Sequence, residues 1–330
     1  MKTDIVSRIS ELSGIKAFRG DDESLRVVTI PFGIPNLDRA LGGGVPRGRI
    51  VHVAGDFGTG KTLLCQMLCK SVQKDDGTIA YFNAENKYDP SWFGRTGVDT
   101  SKVTVIQGNI AESIINAVII CVKEDIDLII VDSAAALLPV SVDENDMNQQ
   151  TIGLQPRVIS KGLMKIVEPL SLSRSSIIIT NQLRSNIGGY GGDVSPGGKA
   201  LKFYASMCLD VRRGEWKKEG ESRIGFEIIV RSSKNQIAPP WREAVIPFYY
   251  DGHVDILSCL CTMALDNGII TKSGAWYSFE ETRAQGWDGL LSKLRSDKDL
   301  VIKLSSAVFD TRDISQDVVV EEESAKLEET

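Results

Sequence analysis

The sequence predicts an α/β protein: a core on a mostly parallel central sheet, a short N-terminal helix ahead of it and a small C-terminal α/β lobe behind. Two observations predict it. From about Leu25 to Asp255, strand-like apolar runs alternate with helical stretches, the pattern of parallel strands with helices laid across the sheet. Four of the early runs are almost continuously apolar and β-branched, as strands buried on both faces are. The 330 residues are 42% hydrophobic and 25% charged, enough to build a core and far from collagen, fibre or wholesale disorder.

Taken in order, residues 3–12 carry Ile5, Val6, Ile9 and Leu12 at helical spacing behind a cap at Thr3 or Asp4. So short a helix is marginal alone and needs something to pack on. A polar hinge, Arg19–Ser24, separates it from the core. Strands are expected at Arg49–Ala54, Thr78–Asn83, Val103–Gln107, Asp127–Asp132, Ser175–Thr180, Met207–Arg212 and Ile224–Arg231, and helices at Lys61–Gln73, Ile110–Lys123, Arg157–Pro169 and Val254–Asn267. The chain thus divides into 1–24, a core over 25–269, a small lobe over 270–312 around Trp276, Trp287 and Leu290, and an acidic tail over 313–330. The tail has too little apolar content to fold alone. Two long loops interrupt the core, the acidic Ser141–Gln155 and Arg184–Gly198, which holds six glycines; loops of this length in a compact domain are usually functional or disordered.

Charge and cysteines narrow the class. The net charge is −6, and 313–330 carries all of it, with seven acids against Lys326; the remaining chain has equal numbers of acids and bases. The average therefore does not exclude an anion-binding face. No apolar run is long enough to span a bilayer, since Ile114–Val122 is short and broken by Asn116, so no membrane association is expected. The N-terminus has no apolar signal region. The six cysteines form no C-x-x-C pair, and only His52 and His253 are available as partners, so buried thiols are expected and no structural zinc. These features predict a reduced, cytoplasmic protein.

The chemistry is carried by Gly55-Asp56-Phe57-Gly58-Thr59-Gly60-Lys61-Thr62, which fits G-x-x-x-x-G-K-[ST] at every fixed position, after an apolar strand and at the start of a helix. The glycines let the loop wrap so that backbone N–H groups point at a phosphate, and the helix N-terminus adds favourable dipole charge. Lys61 is expected on the β- and γ-phosphates of a nucleotide and Thr62 on Mg²⁺. Asp132 ends the apolar strand Asp127–Asp132 and is expected to hold the same metal through its water shell. Glu85 follows the strand ending Tyr81-Phe82-Asn83, at the same sheet edge. Its spacing permits a general base, and equally a surface glutamate at a strand end.

Assembled, these motifs resemble the RecA family of homologous recombinases over about residues 25–285. The resemblance is carried by Gly33-Ile-Pro-Asn-Leu-Asp38 through Gly42 and Pro46-Arg-Gly48; Asn83-Ala-Glu85 with Asp89-Pro90 and Gly97-Val-Asp99; Asn181-Gln182-Leu-Arg184; Gly197-Gly198-Lys199 through Lys202-Phe203-Tyr204; Lys234-Asn235; and Gly274-Ala-Trp276-Tyr277-Ser278. It implies a RecA-like P-loop ATPase fold and a DNA-dependent ATPase that uses ATP and Mg²⁺. Such a protein forms a helical filament of its own copies on single-stranded DNA and pairs it with homologous duplex DNA in recombination and repair. It implies that Glu85 is the catalytic glutamate, that Asp89 and Trp92 meet adenine, and that Gln182 senses the γ-phosphate and connects it to the glycine-rich loop. Trp92 stands where the family usually has tyrosine; core packing is the other reading of that side chain.

The resemblance makes Ser141–Gln155 and Arg184–Gly198 the two DNA-binding loops. Ile187 would wedge between bases, and Arg157, Arg184, Lys199 and the backbone at Gly197 and Gly198 would meet phosphates; as isolated charges the same bases read as solvated surface. Arg212-Arg213 keeps a basic pair of the family. The first segment, 1–24, becomes a polymerisation segment. Lys202, Phe203, Lys234 and Gln236 fall at the subunit interface, with Lys234 reaching the neighbour's nucleotide. Gln236 stands where the family has a second lysine and brings no positive charge. Two other classes share the ATPase core: a ring-forming motor such as a replicative helicase, and an assembly protein that binds ATP without turnover. The Lys202–Tyr204, Lys234 and Gly274–Ser278 segments argue against the first, and the joint presence of Lys61, Glu85 and Asp132 against the second.

Overall fold

The computed structural model describes residues 5–143, 153–182 and 198–309. The chain opens with α1 (Ile5–Ser13), which buries no residue. Then β1 (Thr29–Ile30) pairs antiparallel with β2 (Val45–Pro46), on either side of α2 (Pro35–Leu41) in the sequence. The Asp38 carboxylate fixes this entry by accepting the backbone N–H groups of Phe32, Gly33 and Ile34.

The core strands are β3 (Ile50–Gly55), β4 (Ile79–Asn83), β5 (Val103–Gln107), β6 (Leu128–Asp132), β7 (Ser176–Gln182), β8 (Met207–Glu219), β9 (Ser222–Asn235) and β10 (Glu243–Tyr249). They form one eight-stranded sheet in the order β10-β9-β8-β3-β7-β6-β4-β5. From β8 to β5 every neighbouring pair is parallel, while β9 and β10 add antiparallel. Between the strands run α3 (Lys61–Lys74), α4 (Pro90–Arg95), α5 (Ala111–Lys123), α6 (Val140–Asp143), α7 (Leu154–Ser171) and α8 (Gly198–Tyr204).

Strand residues alternate between two cores, as a side-chain period of two requires. Val51, Val53, Tyr81, Leu128, Ile130 and Ile178 join the core beneath α3. Ile50, Phe82, Ile129, Val131, Ile177 and Ile179 join the one beneath α5 and α7. With both faces covered, the near-continuous apolar runs need no polar face, which is why they are legible in sequence.

The departures from expectation have physical causes. Strand β8 runs past the expected Arg212 to Glu219 and β9 starts at Ser222, ahead of the expected Ile224, because the two pair as a hairpin down to Glu219↔Ser222, where most residues are polar and half or fully exposed. Strand β9 also continues past Arg231 to Asn235 by pairing with the start of β8 at Met207–Leu209. Strand β10 was not among the expected strands. It carries Pro247 and pairs with β9 at the end of the sheet, where a missing N–H costs no ladder bond. The expected loop Ser141–Gln155 is shorter at both ends: α6 reaches Asp143, and α7 begins at Leu154, with Gln155 Nε2 donating to the Leu137 carbonyl at 2.7 Å.

After the sheet come α9 (Ile256–Asp266), β11 (Thr271–Ser273), β12 (Trp276–Phe279), β13 (Thr282–Gln285), α10 (Trp287–Ser296) and a last helical stretch over 298–309. Leu290 is fully buried at the centre of this lobe, and Trp287 packs against it. Trp276, expected at that centre, instead lies 39% exposed with the Arg283 guanidinium 4.6 Å from its ring. Helix α9 gives Cys259 to the core beneath α3 and Leu260, Cys261, Met263 and Ala264 to the lobe. Asp255 caps α9 and takes Arg295 of α10 at 2.6 Å, which ties lobe to sheet.

Candidate nucleotide-binding site

Four parallel strands that lie side by side, β3-β7-β6-β4, end at one edge of the sheet. Their carboxyl ends deliver Gly55, Gln182, Asp132 and the turn holding Glu85. Ligands of open α/β sheets bind at such edges.

The loop between β3 and α3 is shaped by its glycines. Gly58 and Gly60 have φ of 63° and 99°, a region side chains rarely adopt. A Cβ on Gly60 would also meet Ile228 Cδ1, and one on Gly55 would meet the Val211 carbonyl. Thr59 Oγ1 donates to the Asp56 carbonyl at 2.9 Å, and Asp56 Oδ1 accepts from the Phe57 N–H at 2.7 Å. Lys61 Nζ donates to the carbonyls of Gly55 (2.9 Å) and Asp56 (2.7 Å). Burial is the largest influence on this ammonium and lowers its pKa; Asp132, Glu85 and Asp56 oppose it without cancelling it.

Asp132 is a hub for three hydroxyl donors. Thr62 Oγ1 reaches Oδ2 at 3.0 Å, Tyr81 Oη reaches the same oxygen at 2.6 Å, and Thr180 Oγ1 reaches Oδ1 at 2.6 Å. The expected juxtaposition of Thr62 with Asp132 is therefore present. This all-oxygen pair suits a hard cation such as Mg²⁺, and Thr62 with Asp132 would hold it.

Glu85 arrives by a tight turn. Asn83 Oδ1 accepts the backbone N–H groups of Lys87 and Tyr88, and the Asp132 carbonyl accepts those of Ala84 and Glu85. Asn86 takes φ 55°, which asparagine tolerates. The turn folds the Glu85 carboxylate onto β6 and β7. Oε1 accepts from Ser133 Oγ at 2.5 Å and Gln182 Nε2 at 2.6 Å, while Oε2 pairs with Lys87 Nζ at 2.7 Å. Burial is the largest influence and pushes this carboxyl up, but the bonds from Lys87, Ser133 and Gln182 together outweigh it and hold the pKa below the ordinary glutamate value.

The remaining sequence-predicted residues divide. Asp89 caps α4, accepting the Ser91 N–H at 2.9 Å. Trp92 is half-buried, edge-on to Phe248 at 6.3 Å with Arg95 5.9 Å from its ring, so it packs on the sheet as well as facing outward. Lys202, Phe203, Lys234 and Gln236 come together at one edge. Lys234 Nζ donates to the carbonyls of Lys202 (3.1 Å) and Phe203 (3.2 Å) at the end of α8, and the Gln236 N–H donates to the Ser206 carbonyl at 3.2 Å. Phe203 is 76% exposed. Arg157 on α7 and Lys199 on α8 are exposed on helices that pack together. Arg184, Ile187 and Gly197 lie outside the described residues, and Gly198 opens α8.

Sequence reasoning missed Tyr81, Lys87, Ser133 and Thr180. For Tyr81 a signal existed: a phenol in a strand buried on both faces needs a partner for its hydroxyl. Ser133 and Thr180 carried none, since each enters the site only through contacts between strands. Lys87 lies two residues from Glu85 in the same turn, and that spacing was the signal it offered.

The fold and this edge define a P-loop nucleotide-binding protein with a central parallel sheet. Comparison with known proteins narrows it. Residues 7–255 match the RecA N-terminal domain and residues 258–312 the RecA C-terminal domain. Proteins named RecA from Picosynechococcus sp. and Thermus aquaticus are 38% and 37% identical over 301 and 300 residues, covering 90% and 89% of this chain and 86% and 88% of theirs. RecA of Nostoc sp. is 36% identical over 324 residues, 92% of this chain and 91% of its own. The chain belongs to the RecA family and is a RecA-type recombinase. No helix among the described residues is long and apolar enough to cross a membrane.

Proposed function

We propose that this chain is a cytoplasmic, Mg²⁺-dependent ATPase that polymerises on single-stranded DNA and exchanges it with homologous duplex DNA. The observation that carries this reading is the bonded path from the phosphate loop across the sheet edge: Thr62 to Asp132, Asp132 to Thr180, and, beside it, Ser133 and Gln182 to Glu85. Gln182 is the last residue of β7, and the glycine-rich segment follows it directly. A γ-phosphate that moves Gln182 would therefore act on the chain expected to hold DNA.

In the reaction Lys61 and the loop N–H groups hold the phosphates, and Thr62 and Asp132 hold Mg²⁺, which supplies charge neutralisation. Glu85 accepts the proton of the attacking water as its oxygen bonds to the γ-phosphorus. The bond from that phosphorus to the bridging oxygen breaks, and ADP leaves with the electron pair. Asp89 and Trp92 flank the adenine. Lys234, beside Lys202, Phe203 and Gln236, acts on a neighbour's nucleotide, so turnover depends on assembly. Arg157, Arg184, Ile187, Gly197, Gly198 and Lys199 form the DNA surface.

The test is strand exchange with and without ATP, for wild type and Glu85→Gln. Loss of a general base removes about 10²–10⁴-fold in rate. Glu85→Gln is expected to bind ATP, hydrolyse it slowly and hold filaments longer. Duplex unwinding without homologous pairing would make the chain a helicase-type motor, and near-normal turnover of the variant would place the base elsewhere.

A further inference from the structure

Glu85 has unequal oxygens. Oε1 already accepts two donors, Ser133 Oγ and Gln182 Nε2. A carboxylate oxygen offers about two lone-pair positions, so Oε1 is filled and only Oε2 has capacity left. That oxygen is the one Lys87 holds, at 2.7 Å. A water proton bound for Glu85 must therefore go to the oxygen that already carries an ammonium, and a charge-assisted bond makes an oxygen a weaker base.

Among the three donors, Lys87 is the one built to leave. Ser133 follows the last residue of β6 and is fully buried, and Gln182 is the last residue of β7. The Lys87 side chain is 71% exposed against 17% for Glu85. Its backbone is pinned by Asn83 Oδ1, so a move is confined to the four-carbon stem. Of the other charged groups at this edge, Lys61 from α3 feels Glu85 together with Asp132 from β6 and Asp56 from the phosphate loop. Asp132 also raises the Lys87 pKa, after Glu85 as the larger cause, which puts the ammonium within electrostatic range of the metal-holding acid. An incoming triphosphate brings several negative charges to that same edge and competes with one carboxylate for the cation.

We propose that Lys87 gates the general base: paired with Glu85 Oε2 it weakens the carboxylate as a base, and it transfers to the γ-phosphate of bound ATP, so that Oε2 accepts the proton of water at full basicity. The inference rests on Glu85 as general base. It adds a residue of this chain's own subunit to the recognition of ATP over ADP, since ADP lacks the phosphate that draws the lysine away.

The experiment compares full-length wild type, Lys87→Met and Lys87→Arg on single-stranded DNA. Exposure of the stem lets both substitutions fold. The pH dependence of kcat/KM reports groups of the free enzyme, and that of kcat reports the bound complex. In Lys87→Met the acid limb of kcat/KM is expected to move up by about 0.5–1 pH unit, because a charge-assisted bond to the carboxylate is gone. The acid limb of kcat is expected to stay in place, because in the complex Lys87 has already left Glu85. The ratio of ATP to ADP affinity, measured by direct binding, is expected to fall about 5–10-fold, the loss of one cation–phosphate bond, with ADP affinity unchanged. Lys87→Arg is expected to restore both properties in large part. Unshifted limbs with an unchanged affinity ratio would reduce Lys87 to a surface ion pair, and both limbs shifting together would show that it never leaves Glu85. Wild-type turnover by Glu85→Gln, run alongside, would instead remove the base itself, which separates failure of that reading from failure of this one.

Discussion

Tyr81→Phe isolates one bond of the Asp132 hub. The phenol donates to Oδ2 at 2.6 Å from a side chain only 2% exposed. Its ring packs edge-on against Phe93 at 5.2 Å and tilted against Tyr88 at 5.4 Å, contacts that phenylalanine keeps. The substitution removes one oxygen, so the loss is that of a hydrogen bond to a charged acceptor, about 1.5–3 kcal/mol. Asp132 retains Thr62 and Thr180, which places the cost near the lower figure, about 1.5 kcal/mol. Thr180→Val removes the donor on Oδ1. With both gone, only Thr62 remains, and the double variant should lose about 0.5–1 kcal/mol more than the two single losses combined. Urea unfolding reads this as the shift in midpoint multiplied by a common slope. In parallel, affinity for Mg²⁺-bound nucleotide should fall while affinity for the metal-free nucleotide holds, since only the orientation of Asp132 has changed. A Tyr81→Phe variant within about 0.3 kcal/mol of wild type would mean that the phenol spends its time elsewhere and that the hub is not what aims Asp132.

Two further predictions follow from charge. Asp127 opens the way into β6, accepting Arg47 Nη1 at 2.8 Å and the Thr78 N–H at 2.9 Å. Burial, the largest influence, pushes its pKa up, but the Thr78 N–H and Arg47 outweigh it and hold the carboxyl below the ordinary range. Asp127→Asn is therefore expected to cost about 1.5–3 kcal/mol at neutral pH. Because the folded pKa is depressed, that difference is fully present above the ordinary aspartate value and shrinks as pH falls through the folded one; a difference constant down to about pH 3 would refute the assignment. Deleting residues 313–330, which carry a net −6, is expected to raise affinity for duplex DNA at low salt, with the gain shrinking as salt rises. Superimposable titrations of full-length and 1–312 protein at low salt would leave the tail no role at the DNA surface.

Much of this protein was decided by sequence alone. The run from Gly55 to Thr62 is local: its glycines, lysine and threonine act through backbone conformation within one turn, so the motif and its ligand class are legible without a fold. The central strands are legible for a related reason, since burial on both faces imposes an apolar residue at almost every position. The hairpin ends of β8 and β9 and the edge strand β10 escaped because partly exposed strands carry no such constraint, and Pro247 is excluded only from the middle of a sheet. What the tertiary structure alone decided is the strand order. Residues 55–62, 85, 132 and 182 are far apart in the chain, and only the sequence β3-β7-β6-β4 across the sheet brings their carboxyl ends to one edge. That order sets Gln182 and Ser133 on one oxygen of Glu85, leaves the other to Lys87, and gathers Thr62, Tyr81 and Thr180 around Asp132. Apart from the Lys87 pair, which lies within one turn, no spacing encodes these contacts, because each joins side chains from separate elements whose distance is fixed by packing between strands, not by position along the chain.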